Sequence, residues 1–123
     1  MTNPVAAALA ASITANYGRL QCLSCAEALS NALQARGISG VIHQLYVGYR
    51  PGWMFVADPK FVLPFPMVPG IHAISENGSH YGVEVSGIVY DNIFRSGLPL
   101  ADWEQAFVGA AGLLPKLTTH SQF

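Results

Sequence analysis

Leu20-Gln21-Cys22-Leu23-Ser24-Cys25-Ala26-Glu27-Ala28-Leu29 sets a cysteine where a loop turns into a helix. From Cys22 the small and apolar positions are Cys22, Ala26, Leu29 and Leu33, one stripe at helical spacing, and Gly37 supplies a C-terminal cap. A thiol on the first turn of a helix faces unpaired backbone N–H groups and the positive end of the helix dipole, and both favour thiolate. Thiolate is the nucleophilic form, so this is where a cysteine enzyme would put its attacking sulfur. A buried structural cysteine would look the same over this stretch. The remainder of the chain has to separate the two.

A chain of 123 residues is enough for one domain with a real core, expected over residues 1–123. Hydrophobic residues make up 51% of it and charged residues 11%, less than half of the roughly 25% charged in an average domain. So few solvating charges suggest a surface partly covered by a partner or by a longer protein. The net charge of -1 gives no electrostatic reason to expect nucleic acid or an anionic membrane as a partner. No stretch approaches the roughly 18 apolar residues of a membrane helix, so no membrane insertion is expected. The start, MTNPVAAALAASITA, looks superficially like a signal peptide but lacks a basic n-region, and Asn3-Pro4 reads as a helix N-cap followed by N1. The two cysteines share one predicted helical turn, which excludes a disulfide framework and fits a reducing working compartment.

Asn3 to about Asn16 reads as an alanine-rich helix with Val5, Leu9 and Ile13 as its apolar face. Tyr17-Gly18-Arg19 breaks it before the Cys22 helix. Beyond Gly40 the pattern changes to strand over residues 41–47, with a second short strand over 53–56. Residues 58–70, DPKFVLPFPMVPG, hold four prolines and form an extended apolar loop that cannot be a central strand. Beside an active site such a loop could wall in a substrate, although a connector is its commoner use. Residues 71–75 begin a meander, Glu76-Asn77-Gly78 carries a hairpin signal, and residues 79–85 and 88–91 are strands around a Ser86-Gly87 turn. Residues 100–107 form a short helix, and the tail 114–123 reads as loose, leaving a core at about 16–107. Two helices followed by antiparallel strands make an α+β arrangement rather than alternating βαβ units.

A cysteine nucleophile needs a base, usually histidine, and the base needs an orienting group. Of the four histidines, His80 opens a strand just after a turn, where a side chain can emerge at the rim of a sheet. Asp91 ends the next strand. A fold-back between Val85 and Ser86 would set His80 opposite Asp91, within reach for the carboxylate to fix the imidazole tautomer. Asn92 could orient the histidine instead. His43 lies mid-strand and reads as packing, His72 has no obvious carboxylate, and His120 falls in the tail.

A cysteine at a helix start, then a histidine, then an aspartate on sheet strands resembles the papain-like fold. More closely, the chain resembles the papain-fold toxin domains of bacterial polymorphic toxins. The residues that carry the resemblance are Gln21-Cys22-Leu23-Ser24-Cys25-Ala26, Ser75-Glu76-Asn77-Gly78-Ser79-His80-Tyr81-Gly82-Val83, Val89-Tyr90-Asp91-Asn92, and Gly97 followed by Trp103. It implies N-terminal helices, with the nucleophile at a helix N-terminus, packed on a small antiparallel sheet. Such enzymes follow the nucleophile with a buried residue at the third position on and a small one, usually alanine, at the fourth. Cys25 and Ala26 stand in those places for Cys22, whereas Ala28 and Leu29 would for Cys25. Gln-Cys-Leu-Ser-Cys also echoes papain's Gln-x-x-Cys-Gly-Ser-Cys, in which the second cysteine attacks. Cys22 is the expected nucleophile and Cys25 the alternative. The family's oxyanion glutamine, six residues before the nucleophile, corresponds to Asn16, with Gln21 as runner-up.

The resulting expectation is a toxin- or effector-type cysteine hydrolase using Cys22, His80 and Asp91, with a thioester intermediate on an amide-type bond of a protein substrate. Peptidase comes first; deamidase and transglutaminase use the same triad. The resemblance implies a substrate in a target cell, reached by secretion or delivery into its cytoplasm, and a cognate immunity protein that covers the site. With no signal peptide in the chain, it is expected to be cytoplasmic or the C-terminal part of a larger secreted protein. The chemistry needs no cofactor and no metal. Competing readings are a non-catalytic interaction domain and a zinc module built on Cys22-x-x-Cys25 with two histidines, which lacks the second tightly spaced ligand pair that zinc sites usually have. A thioredoxin-like redox pair would need a strand leading into the cysteines.

Overall fold

The computed structural model describes residues 2–18, 20–48, 53–56, 73–109 and 113–123. The proline-rich loop at 58–70 and His72 lie outside them. Helix α1 (Pro4–Thr14) starts as its sequence predicts: Asn3 Oδ1 accepts the amides of Val5 at 3.0 Å and Ala6 at 3.1 Å, with Pro4 on the first turn. Of the expected apolar face, Leu9 and Ile13 pack against the core, but the fully buried stripe is a different one. Ala6, Ala10 and Thr14 face inward, while Val5 is 41% exposed. Small side chains let α1 lie close against α2 (Cys22–Ala35), and the Thr14 hydroxyl is satisfied by donating to the Ala10 carbonyl at 2.6 Å. Helix α2 buries Cys22, Cys25, Ala26, Leu29, Ser30 and Leu33. It ends where Gly37 adopts φ 71°, its N–H bonding the Gln34 carbonyl and that of Ile38 the Leu33 carbonyl.

The strands are β1 (Val41–Tyr46), β2 (Met54–Val56), β3 (Ser79–Val85), β4 (Ile88–Tyr90), β5 (Leu98–Pro99), β6 (Phe107–Gly109) and β7 (Lys116–Gln122). Five of them form one antiparallel sheet in the order β5-β4-β3-β1-β7, and β2 pairs separately with β6. Ala6, Ala10, Ala26, Leu29 and Leu33 cover one face of the sheet, against Ile42, Val83, Val85 and Tyr90. On the other, Leu45 and Val89 pack with Met54, Ile74, Phe107 and Trp103 of α3 (Leu100–Gln105). Among the described residues no helix is long and apolar enough to cross a membrane.

Four sequence expectations change. The tail is not loose: β7 adds to the free edge of β1, Leu117 packs against the core, and Phe123 and Gly40 exchange backbone hydrogen bonds. Residues 116–122, with two threonines and no glycine or proline, suit a strand once β1 offers an edge. The core therefore reaches beyond 16–107 at both ends. The short helix stops at Gln105, because Phe107–Gly109 is taken up by pairing with β2. Ser75 bridges Met54, so the Glu76-Asn77-Gly78 turn does not close a hairpin onto β3. Finally, Ser86 and Gly87 take φ 53° and 83°, a two-residue loop that sets Val85 opposite Ile88.

Gly82 lies on the α3 face of β3, and Trp103 occupies the space its missing side chain leaves. A Cβ there would stand 2.6 Å from Val89 Cγ1 and 2.7 Å from Trp103 Cζ2. Gly82→Ala should therefore destabilise the fold by about 1–3 kcal/mol, read as a lower urea midpoint at unchanged slope.

Candidate active site

β3 carries the centre of the site. The β4 ladder ends at Val83 opposite Tyr90, so the first part of β3 has no β4 partner. The start of α2 comes against this part: Cys22 Sγ lies 3.9 Å from the Ser79 carbonyl oxygen, and the Tyr81 backbone amide favours its thiolate. His80 is fully buried, with Phe107 at 4.6 Å and Trp103 at 5.9 Å between ring centroids. Its Nε2 is 2.7 Å from Asp91 Oδ2. That bond leaves Nδ1, which has no other buried partner among the described residues, as the ring nitrogen available to Cys22.

Asp91 meets His80 diagonally. The two-residue turn places Asp91 two positions from the expected register, and a two-residue shift keeps a side chain on the same face. The diagonal distance is within reach of two long side chains. Asp91 is buried but well supplied with donors: Oδ2 also accepts Trp103 Nε1 at 2.7 Å, and Oδ1 accepts the amides of Ile93 at 2.8 Å and Phe94. Burial pushes its pKa up, yet the His80 hydrogen bond and charge and the Trp103 bond bring it below the usual carboxylate value. Burial likewise pushes the imidazole down, but the Asp91 bond, with Cys22 behind it, raises His80 to about 9. At Cys22 burial is outweighed by His80, and the thiol pKa is lowered. At Cys25 burial, with the Asp91 charge adding to it, pushes the thiol up to about 12. These two cysteines of one helical turn are tuned in opposite directions.

A pocket of about 310 Å³ opens over Cys22, between residues 20–24 and residues 74–77. Among the described residues no side chain caps this end of α2, so its first amides remain free to donate. Gln21 lines the pocket and its Oε1 accepts the Gly18 amide at 2.8 Å, which leaves the side-chain NH₂ to donate. Asn16 sits elsewhere: it is exposed, bonds back to the Ser12 carbonyl at 3.4 Å and does not reach the pocket. Among the described residues it is Asp91, not Asn92, that hydrogen-bonds His80. Asn92 is buried and donates to the Gly18 carbonyl at 2.6 Å, holding the loop that leads into Cys22. His43 bonds Glu84 at 2.6 Å, and exposed His120, on β7, stands edge-on to Tyr81 of β3. Among the described residues no three His, Cys, Asp or Glu side chains gather as they would around a metal ion.

Trp103 is the site residue that the sequence did not assign a role. Gly82 is the signal that could have found it, since a glycine inside a strand often marks a close approach.

A helix-start cysteine set against an antiparallel sheet, with a histidine and an aspartate arriving from that sheet, is a papain-like α+β arrangement. The family model described as papain fold toxin 2 matches residues 6–108. The chain belongs to that family. No curated relative and no solved structure matches it.

His80 is raised above its ordinary value of 6.5, so the stability it contributes is complete below about pH 6.5 and is lost as pH rises through about 9. In Asp91→Asn the imidazole loses the main group that raises it. NMR titration should show the His80 ring titrating near 9 in the wild type and well below that in Asp91→Asn; equal values would contradict the assigned pairing.

Proposed function

We propose that the chain is a toxin-type cysteine hydrolase in which Cys22 is the nucleophile, His80 its base and Asp91 the group that orients the base. The observation that carries this reading is the pairing of a thiol with lowered pKa at a pocket floor with a buried imidazole held by a carboxylate at 2.7 Å. His80 takes the Cys22 proton, and the thiolate attacks an amide-type carbonyl. The oxyanion draws on the free amides at the α2 start and on the Gln21 NH₂. His80 then protonates the departing amine, leaving a thioester. Water activated by His80 releases the acid, or an amine acceptor takes the acyl group. Peptidase, deamidase and transglutaminase share these steps, and peptidase is the reading we adopt.

Cys25, buried and with its pKa raised to about 12, suits a packing role beneath the nucleophile. With a toxin family as its setting, the reading we adopt includes a protein substrate inside a target cell, delivery by a longer secreted protein and a cognate immunity protein over the pocket. A non-catalytic interaction domain would have no use for a tuned thiol–imidazole pair.

Alkylation by iodoacetamide, followed cysteine by cysteine through peptide mass mapping, tests the assignment. Cys22 should react fast near neutral pH and slow by at least about tenfold in His80→Ala, while Cys25 stays inert. Fast reaction at Cys25 would move the nucleophile, and an unreactive pair would leave the interaction-domain reading. In the target cell Cys22→Ala should abolish toxicity without loss of fold by circular dichroism.

A further inference from the structure

The pocket over Cys22 has two unlike walls. On one, Leu20 and Leu23 are 45% and 37% exposed, large apolar surfaces held open at the mouth. On the other stands Glu76, exposed, and the one formally charged side chain among the described residues that line the pocket. No ion pair among the described residues neutralises it. Its neighbour Asn77 is exposed too, but its Oδ1 is engaged locally, accepting the Ser75 hydroxyl at 3.0 Å and the Ser79 amide at 3.1 Å.

A cavity of about 310 Å³ with an apolar wall and a lone carboxylate suits one kind of side chain. Lysine and arginine lay an aliphatic stem along apolar surface and keep a cationic head at the polar rim. Among the described residues the positive groups near the pocket do not cancel Glu76. His80 is fully buried and paired with Asp91, and the dipole of α2 acts within its first turn, on the thiolate itself. An acidic substrate side chain in the same place would meet repulsion from Glu76, so the residue selects in both directions.

We propose that Glu76 is a specificity-determining residue that favours substrates carrying a lysine or arginine side chain beside the bond under attack. This rests on Cys22 being the nucleophile.

The test uses three methanethiosulfonates on the intact protein: a cationic trimethylammonioethyl reagent, an anionic sulfonatoethyl reagent and the neutral methyl reagent. In each, the Cys22 thiolate attacks the sulfenyl sulfur, forms a mixed disulfide and expels methanesulfinate. The readout is the cation-to-anion ratio of rates at Cys22, normalised to the neutral reagent and mapped separately from Cys25. At low ionic strength the wild-type ratio should exceed that of Glu76→Gln by about threefold to fivefold. Glu76→Lys should fall below Glu76→Gln, and added salt should compress all three toward one value. A neutral rate that stays fast while the three ratios coincide overturns the specificity inference and leaves the nucleophile standing. A Cys22 inert to the neutral reagent overturns both.

Discussion

A carboxylate taken out of water must be matched by donors, and at Asp91 the match is made by four groups from three parts of the chain. His80 comes from β3, Trp103 from α3, and the amides of Ile93 and Phe94 from the turn that follows β4. Removing any of them would leave buried charge short of a partner, which is costly. The same bonds hold the imidazole in one orientation and keep the carboxylate ionised. A structural requirement and a chemical one are thus met by one side chain. The adjacent residue extends the arrangement, because Asn92 ties the post-β4 turn to the Gly18 carbonyl ahead of Cys22. One short segment therefore positions the imidazole and anchors the approach to the thiol.

The proposed chemistry depends on where the sheet stops pairing. β4 leaves β3 at Val83, and on that edge the first half of β3, still paired with β1 on the other, meets the N-terminus of α2 instead of a second strand. Had the ladder continued, the Tyr81 amide would be spent on a strand partner rather than on the thiol. The helical layer can come this close because its contact with α1 is made of alanines and a self-satisfied threonine. On the opposite face Gly82 clears the space for Trp103. Small residues on both sides of the sheet allow the large ones to converge.

The difference between Cys22 and Cys25 illustrates how local environment overrides local sequence. Both belong to the first turn of α2, and both share its dipole. Cys22 faces the histidine and the pocket, whereas Cys25 is buried near the Asp91 charge and has Arg95, at a distance, as the group that opposes its rise. Their pKa values move apart because of what each faces across the chain. Helix position favoured Cys22 from the sequence, but the opposite directions come from burial, which raises Cys25, and from His80, distant in the chain and adjacent in space, which lowers Cys22.

The sequence by itself determined the elements whose cause is local. Asn3-Pro4 starts α1, Gly37 ends α2, and the Ser86-Gly87 pair turns β3 into β4, each through backbone geometry that few other residues adopt. Cys22, His80 and Asp91 were legible as a set because helix starts and strand ends leave local signals, and because an error of two in register preserves the face. What depends on distant partners was not legible. The β7 strand exists because β1 has a free edge, Ala6 and Ala10 are buried because α2 comes close, and Asn16 gives way to Gln21 at the pocket because of how the loop between the helices folds back. Trp103 reaches Asp91 only when β3 and α3 are stacked. Backbone preferences act over a few residues, so the chain carries them in its own order; packing, register at an edge and the environment of a buried charge are set by residues far apart in that order, and only the tertiary structure brings them together.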